Sequence, residues 1–144
     1  MRQAGVYHRR GFWLVGPFAM MENGPSVTID PFIRIPDAIP YGDLAGEVRA
    51  ALQRSRTIPD INLRETELPP SPVLAAAGVK SFATFHRGAK MVSIVERDGT
   101  IHVTASANRG ARGGFAYLEP IVIPATATLD ELGDALQRAF ARCR

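Results

Sequence analysis

The stretch MVSIVERDGTIHVTA, residues 91–105, decides the fold of this chain. Apolar and polar residues alternate on both sides of Asp98-Gly99, a dipeptide whose two residues tolerate the positive φ angles of a two-residue turn. The pattern therefore predicts two antiparallel strands joined by a tight hairpin. Because side chains alternate between the two faces of a strand, Val92 and Ile94 should point to the same side of the sheet.

Further strands are predicted on both sides of this hairpin. The segment Phe82–His86 is β-favouring and should precede the hairpin, so that three strands form a meander. Phe115–Ile123 predicts another strand after it. Earlier in the chain, Phe12–Val15 and the apolar residues of 27–35 flank the turn signal Asn23-Gly24, so these two runs should also pair as a hairpin.

Two helical segments are predicted in the middle of the chain. The first follows Pro40, with Asp43 as its N-cap and with apolar residues at helical spacing through Leu52. The second is a short helical turn, Val73–Ala77, which should end at Gly78 because glycine accepts the left-handed conformation found after helices.

The last helix carries the clearest signal of the chain. Thr128 and Glu131 form a Thr-x-x-Glu capping box. An apolar stripe follows at helical spacing: Leu129, Leu132, Leu136, Ala139, Phe140 and Cys143. We interpret Cys143 as a small apolar residue at the core or its rim. Together these elements predict an α+β fold, a mostly antiparallel β-sheet with helices packed on one face and a helix at the C-terminal end.

Length and composition limit the class of protein to which the chain can belong. With 144 residues, 46% hydrophobic and 22% charged, the chain matches one soluble domain spanning residues 1–144. No apolar run approaches the roughly 20 residues of a membrane-spanning helix, and Met1–Gly11 lacks the apolar segment of a secretory signal. The single cysteine allows no internal disulfide. These features predict a cytoplasmic protein that does not contact a membrane.

The net charge of +3 is unevenly distributed along the chain. Fifteen of the 17 basic residues are arginines, yet residues 22–67 hold eight carboxylates against five arginines. Nucleic-acid-binding modules usually cluster positive charge and interleave it with aromatic residues. A basic chain with an acidic middle therefore favours no particular partner by charge alone.

The chemically active residues show no complete catalytic or metal-binding pattern. The three histidines, His8, His86 and His102, lack a second ligand at the short spacing of a zinc site. His102 begins one copy of the H-x-T motif of certain phosphodiesterases, but the segment after His86 lacks the hydroxyl of a second copy. Neither a nucleophile elbow nor a phosphate-binding loop is present. We predict no catalytic residue, metal or cofactor, and keep a small phosphodiesterase around His86 and His102 as an alternative.

Two loops remain as candidate sites. The connection 57–72 carries four charged residues between prolines, a pattern typical of a solvated loop or of the rim of an interface. These residues are Asp60, Arg64, Glu65 and Glu67. The glycine-rich segment Asn108–Gly114 carries Arg109 and Arg112, and is either a hairpin connection or a loop that becomes ordered on a partner.

Three segments together resemble a known family. Gly46–Arg56 is similar to the G-E-x-x-x-x-A-L-x-x-S-R helix of immunity proteins from bacterial contact-dependent growth inhibition systems. Met91–Val95 and Gly99–Val103 resemble that family's V-S-I…G-x-I-x-I hairpin, and Ile121–Cys143 resembles its V-x-I-P…E-E-L-G-x-A-L…R-C tail. The matches cover roughly residues 45–143 in the family's order. The segment with Arg109 and Arg112 departs from the family, which carries a His and a Trp there.

The resemblance implies a cytoplasmic protein that binds, as a 1:1 complex and without cofactor, the C-terminal toxin domain of a large exported effector. Toxins of these systems are commonly nucleases, often acting on tRNA. Since a nuclease cleft binds phosphate, an acidic mask would fit it. The expected toxin contacts are therefore Asp60, Arg64, Glu65 and Glu67, ahead of Arg109 and Arg112. The alternative from another class is a nucleic-acid-binding module that uses Arg109, Arg112 and the arginine-rich ends, although nucleic acid is the less expected partner.

Overall fold

The computed structural model describes residues 1–62 and 70–144. Within these ranges the strands are β1 Arg2–Arg9, β2 Phe12–Met21, β3 Ser26–Thr28, β4 Ile33–Pro36, β5 Arg56–Ile58, β6 Lys90–Arg97, β7 Thr100–Asn108 and β8 Phe115–Pro124. The helices are α1 Tyr41–Arg54, α2 Pro72–Ala77, α3 Phe82–His86, α4 Gly110–Gly113 and α5 Leu129–Arg142. None of the helices in the described ranges combines the length and the apolar character that crossing a membrane requires.

The strands form one sheet in the order β3-β2-β1-β6-β7-β8, and β4 and β5 also pair with β2. All pairings are antiparallel except that of β5 with β2. The hairpin predicted at Asp98-Gly99 is confirmed, with φ angles of 52° and 76°. The pairing of Phe12–Val15 with the apolar runs after Asn23-Gly24 is confirmed as well. Strand β1, in the centre of the sheet, had not been predicted.

One face of the sheet is covered by α1 and α5, as the α+β prediction required. Val92, Ile94 and Leu136 have no exposed surface in this core. The capping box at the start of α5 is confirmed, with Thr128 Oγ1 accepting from Glu131 N and Glu131 Oε1 accepting from Thr128 N. The two long helices and the sheet thus form the main core, at positions that the sequence periodicity indicated, except that Leu129 of the predicted stripe is 44% exposed.

Cys143 follows α5 and lies at the rim of this core. Its side chain is half-buried and packs on the core, with Sγ 3.5 Å from the carbonyl oxygen of Met91. Burial raises the pKa of the Cys143 thiol, which disfavours the reactive thiolate. The interpretation of Cys143 as a small apolar rim residue is confirmed.

The opposite face carries short helices, and here one prediction is wrong. Phe82–His86 forms helix α3 instead of a strand. The Ser81 hydroxyl caps the helix by accepting from Thr84 N at 3.2 Å, and Phe85 is buried against Tyr7 of β1. A local cap and a distant aromatic contact therefore outweigh the strand propensity of the segment.

Smaller differences concern caps and loops. Helix α1 begins earlier than predicted, with Pro40 at the N-cap, so that Asp43 lies in its first turn. In the first turn the Asp43 carboxylate stabilises the helix, because the N-terminal end of a helix carries a partial positive charge. The short helix Val73–Ala77 is confirmed with one added residue, and Gly78 has a φ of 72°. The loop Asn108–Gly114 contains the helical turn α4.

Candidate interaction site

An apolar cavity of about 750 Å³ opens on the face opposite α1 and α5. Its lining comes from β1, β2, β3, β5, α2, α3 and the start of β8. Tyr7 and Phe18 are buried there, whereas Phe82 remains 48% exposed although it also lines the cavity. A concave apolar surface with an exposed aromatic residue is the kind of feature that receives a ligand or a partner side chain.

Aromatic rings build the wall of this cavity around Tyr7. The Tyr7 ring contacts Phe85 and Phe115 edge-on, with centroids 5.4 and 5.8 Å apart. Burial raises the pKa of the Tyr7 phenol, and the nearby Tyr117 raises it further. The Tyr7 hydroxyl therefore stays neutral at physiological pH, and the ring serves as a rigid apolar surface.

Two glycines make room for rings on this face. Gly5 and Gly16 lie directly opposite each other in the β1–β2 pair. A methyl group at Gly5 would come within 2.6 Å of the Phe18 ring. A methyl group at Gly16 would meet the ring of Phe32. The absence of side chains at these two positions thus allows Phe18 and Phe32 to lie close against the strands.

Polar residues also contribute to the cavity lining, and one of them has an unsatisfied hydroxyl. These residues are Ser26, Thr28, Asp30, Arg56, Ser71 and His86. Ser71 occupies the N-cap position of α2, but its side chain makes no capping bond. Its Oγ is buried and has no hydrogen-bond partner among the described residues. A buried hydroxyl without a hydrogen-bond partner costs free energy of folding.

A hydrogen-bonded network centred on Asn108 joins α3 to α4. Asn108 Oδ1 accepts from His86 Nδ1 at 3.1 Å and from the Gly110 backbone at 2.9 Å, while Nδ2 donates to the carbonyl oxygens of His86 and Ala89. The His86 ring also stacks on Phe115, with centroids 4.4 Å apart. The network holds the loop with Arg109 against the wall of the cavity. The sequence did not reveal this role of Asn108, because only its position before the glycine-rich loop set it apart.

Three of the six predicted toxin contacts lie within the described residues. Asp60 is exposed and accepts two hydrogen bonds from Asn23, from the backbone at 3.0 Å and from Nδ2 at 3.2 Å. Arg109 and Arg112 are exposed at and within α4. Ile61, next to Asp60, and Phe115, just after α4, both line the cavity. Residues close in sequence to Asp60 and to the two arginines therefore contribute to the wall of the same cavity. Arg64, Glu65 and Glu67 lie outside the described residues.

The histidines of the phosphodiesterase alternative do not converge. His86 is bound to Asn108 at the end of β7, whereas His102 lies six residues earlier on the same strand and contacts Thr100. At about 3.3 Å per residue this places His102 about 20 Å along the strand from Asn108, the hydrogen-bond partner of His86. Among the residues that the structure describes, no three His, Cys, Asp or Glu side chains are grouped so that they could hold a metal ion.

Solved structures with the same fold include proteins of two bacteria. A protein of unknown function from Neisseria meningitidis superposes with a TM-score of 0.78 at 16% identity, over 99% of this chain and 95% of that one. A chain of the CdiA-CT/CdiI toxin and immunity complex from Yersinia pseudotuberculosis superposes with a TM-score of 0.75 at 14% identity, over 99% and 97% of the two chains. At these identities the likeness defines a shared fold. No curated protein matches the sequence significantly.

The sequence itself identifies the family. The model of the CDI immunity protein family (CdiI) matches residues 12–143. The chain therefore belongs to the CDI immunity proteins, and the resemblance seen in its three motif segments is confirmed.

Proposed function

We propose that this chain is a cytoplasmic, single-domain immunity protein that binds and neutralises the C-terminal toxin domain of a cognate contact-dependent growth inhibition effector. The observation that carries the proposal is the family match over residues 12–143. The structural likeness to a chain of a toxin and immunity complex supports it. The complex is 1:1 and needs no cofactor, and the toxin is a nuclease that cleaves tRNA or another RNA.

The face with the cavity is the proposed toxin-binding surface. It offers an exposed aromatic residue, Phe82, beside buried rings that are already in place. The charged residues proposed for its rim are Asp60, Arg109 and Arg112, with Arg64, Glu65 and Glu67 as additional contacts. Interfaces commonly combine such an apolar centre with a polar rim. Inhibition then results from covering the active site or an essential surface of the toxin, and requires no catalysis by this chain.

A growth experiment and a binding experiment test this function together. The toxin is the C-terminal domain encoded by the reading frame immediately upstream, produced in cells with and without this chain. We expect the chain to restore growth, and light scattering of the purified mixture to give the mass of a 1:1 complex. The His102→Ala variant should protect equally well, because inhibition by binding needs no imidazole chemistry and His102 does not line the cavity. Growth arrest despite expression of the chain would reject the proposal.

A further inference from the structure

A second, smaller concavity on the same face is surrounded by positive charge. Arg9, Arg10 and Arg34 line a cleft of about 80 Å³ together with Phe12, Leu14 and Ala77. Since a water molecule takes up about 30 Å³ of the liquid, the cleft has room for a group of the size of a carboxylate. Among the described residues its lining contains no acidic side chain.

The strand register explains why these charges are left together. Arg9 lies opposite Phe12, and Arg34 lies opposite Leu14, so all four side chains point to the face of α2 and α3. The acidic residue of this region, Asp37, is instead 3.4 Å from His8. His8 neighbours Arg9 on β1 and therefore points to the other face. Within the described ranges neither Arg10 nor Arg34 takes part in an ion pair.

Two of the guanidinium groups are held in place before any partner arrives. Arg9 is 8% exposed, and it donates from Nε to the Phe85 carbonyl oxygen at 3.1 Å and from Nη2 to that of Thr84 at 3.0 Å. The guanidinium carbon of Arg34 lies 3.8 Å from the centre of the Phe12 ring. Fixed donors lose little conformational freedom when they bind an anion.

Arg10 adds a third charge at an unfavourable backbone position. Its φ is 50°, in the left-handed region that Gly, Asn and Asp occupy more readily than arginine. Burial lowers the pKa of Arg9, and the like charge of Arg10 lowers it further. An anion in the cleft would offset the repulsion between the Arg9 and Arg10 guanidinium groups. Binding of such an anion would explain why an arginine occupies this unfavourable turn position.

We propose that the cleft formed by Arg9, Arg10 and Arg34 binds a carboxylate side chain of the toxin, an inference that rests on the proposed function. Guanidinium groups bind carboxylates through paired N–H···O bonds. Because Nε and Nη2 of Arg9 already donate to backbone carbonyl oxygens, these bonds come from Arg10 and Arg34, and Arg9 adds its fixed positive charge. A nucleic-acid strand is the less suitable occupant. A single strand requires a row of positive charges and aromatic rings whose faces are open for stacking with the bases. Among the described residues that line the cleft, Phe12 is the only aromatic one, and Arg34 covers its ring.

The test uses the double variant Arg10→Asn/Arg34→Gln in the full chain. These changes remove two charges and leave Arg9, which also holds α3, in place. Biolayer interferometry with the toxin domain encoded upstream should show binding weakened by about 10- to 100-fold, mainly through faster dissociation, as is typical of a lost buried charge contact. The matched control is Arg138→Gln, which removes an exposed arginine of α5 on the other face. It should bind like the wild type.

Each other outcome has a distinct meaning. If the wild type does not bind the toxin, the proposed function is wrong, and the carboxylate proposal falls with it. If the wild type binds and the double variant binds equally well, only the cleft proposal is overturned. A double variant that keeps its toxin affinity but loses affinity for a 20-nucleotide RNA would assign the cleft to phosphate and overturn it as well. Thermal unfolding of both variants verifies that they are folded.

Discussion

The two faces of the sheet differ in how they are built. One is covered by α1 and α5, each 14 residues long, whose apolar stripes close a continuous core with the strands. The other is covered by the short helices α2 and α3, which leave a large cavity and a small cleft. We infer that the first face supplies most of the stability and that the second is free to serve recognition. Four substitutions test this division.

The largest effect on stability is expected for Leu136→Ala in α5. Leu136 is fully buried between the helices and the sheet, so the substitution should lower the free energy of unfolding by about 2–5 kcal/mol. Urea denaturation followed by circular dichroism measures the change. Leu129→Ala is the control, because Leu129 in the same helix is 44% exposed and should change stability little. Equal effects of the two substitutions would contradict the assignment of the main core.

The largest effect on binding is expected for Phe82→Ala in α3. Removing an exposed aromatic residue at an interface centre should weaken toxin binding by about 2 kcal/mol, or roughly 30-fold, and change stability by less than about 1 kcal/mol. Titration calorimetry with the toxin domain measures the affinity, and Leu129→Ala again serves as the control. Unchanged affinity of the Phe82 variant would exclude the cavity as the toxin-binding surface.

An intermediate effect is expected for Asn108→Ala. The substitution leaves the His86 imidazole and two backbone carbonyls without their partner, which should cost about 1–3 kcal/mol of stability. It should also speed hydrogen exchange of the backbone amides in α4, measured by mass spectrometry. The comparison variant is Asn23→Ala, whose side chain bonds to Asp60 in an exposed site, so a smaller loss is expected. A larger loss at Asn23 would argue against the network as a support of the proposed binding face.

The smallest effect concerns two turns with the same backbone conformation. Arg10-Gly11 and Asp98-Gly99 both have positive φ at their two residues. Because asparagine accepts this conformation more readily than arginine, Arg10→Asn should raise the free energy of unfolding by about 0.5–1 kcal/mol. Asp98→Asn should leave it unchanged. A loss of stability in the Arg10 variant would show that the arginine stabilises the fold, which would weaken its assignment to binding.

Sequence reasoning predicted the first face well and the second poorly. The stripe of α5 from Leu132 to Phe140 and the alternation of Val92 and Ile94 are local periodicities, and each was found in the predicted place. By contrast, Phe82–His86 was predicted as a strand, because its composition favours strands and its burial against Tyr7 has no signal in the neighbouring residues. Strand β1 was missed for a similar reason, since Gly5 breaks its apolar pattern on the side where Phe18 packs.

The candidate site could be predicted only in part. The charged residues Asp60, Arg109 and Arg112 were visible in the sequence as loop residues, and their sequence neighbours Ile61 and Phe115 line the cavity. Neither the cavity nor the cleft had a sequence signal. The cleft joins residues of β1, β2, β4 and α2, which lie up to about seventy positions apart in the chain.

By itself the sequence determined the family, the hairpin at Asp98-Gly99 and the two long helices, because turn conformation and helical periodicity depend on residues close together in the chain. Only the tertiary structure decided which arginines face one another and which aromatic rings form a wall. Those relations depend on strand register, since a shift of one residue would move Arg9 and Arg34 to the other face of the sheet.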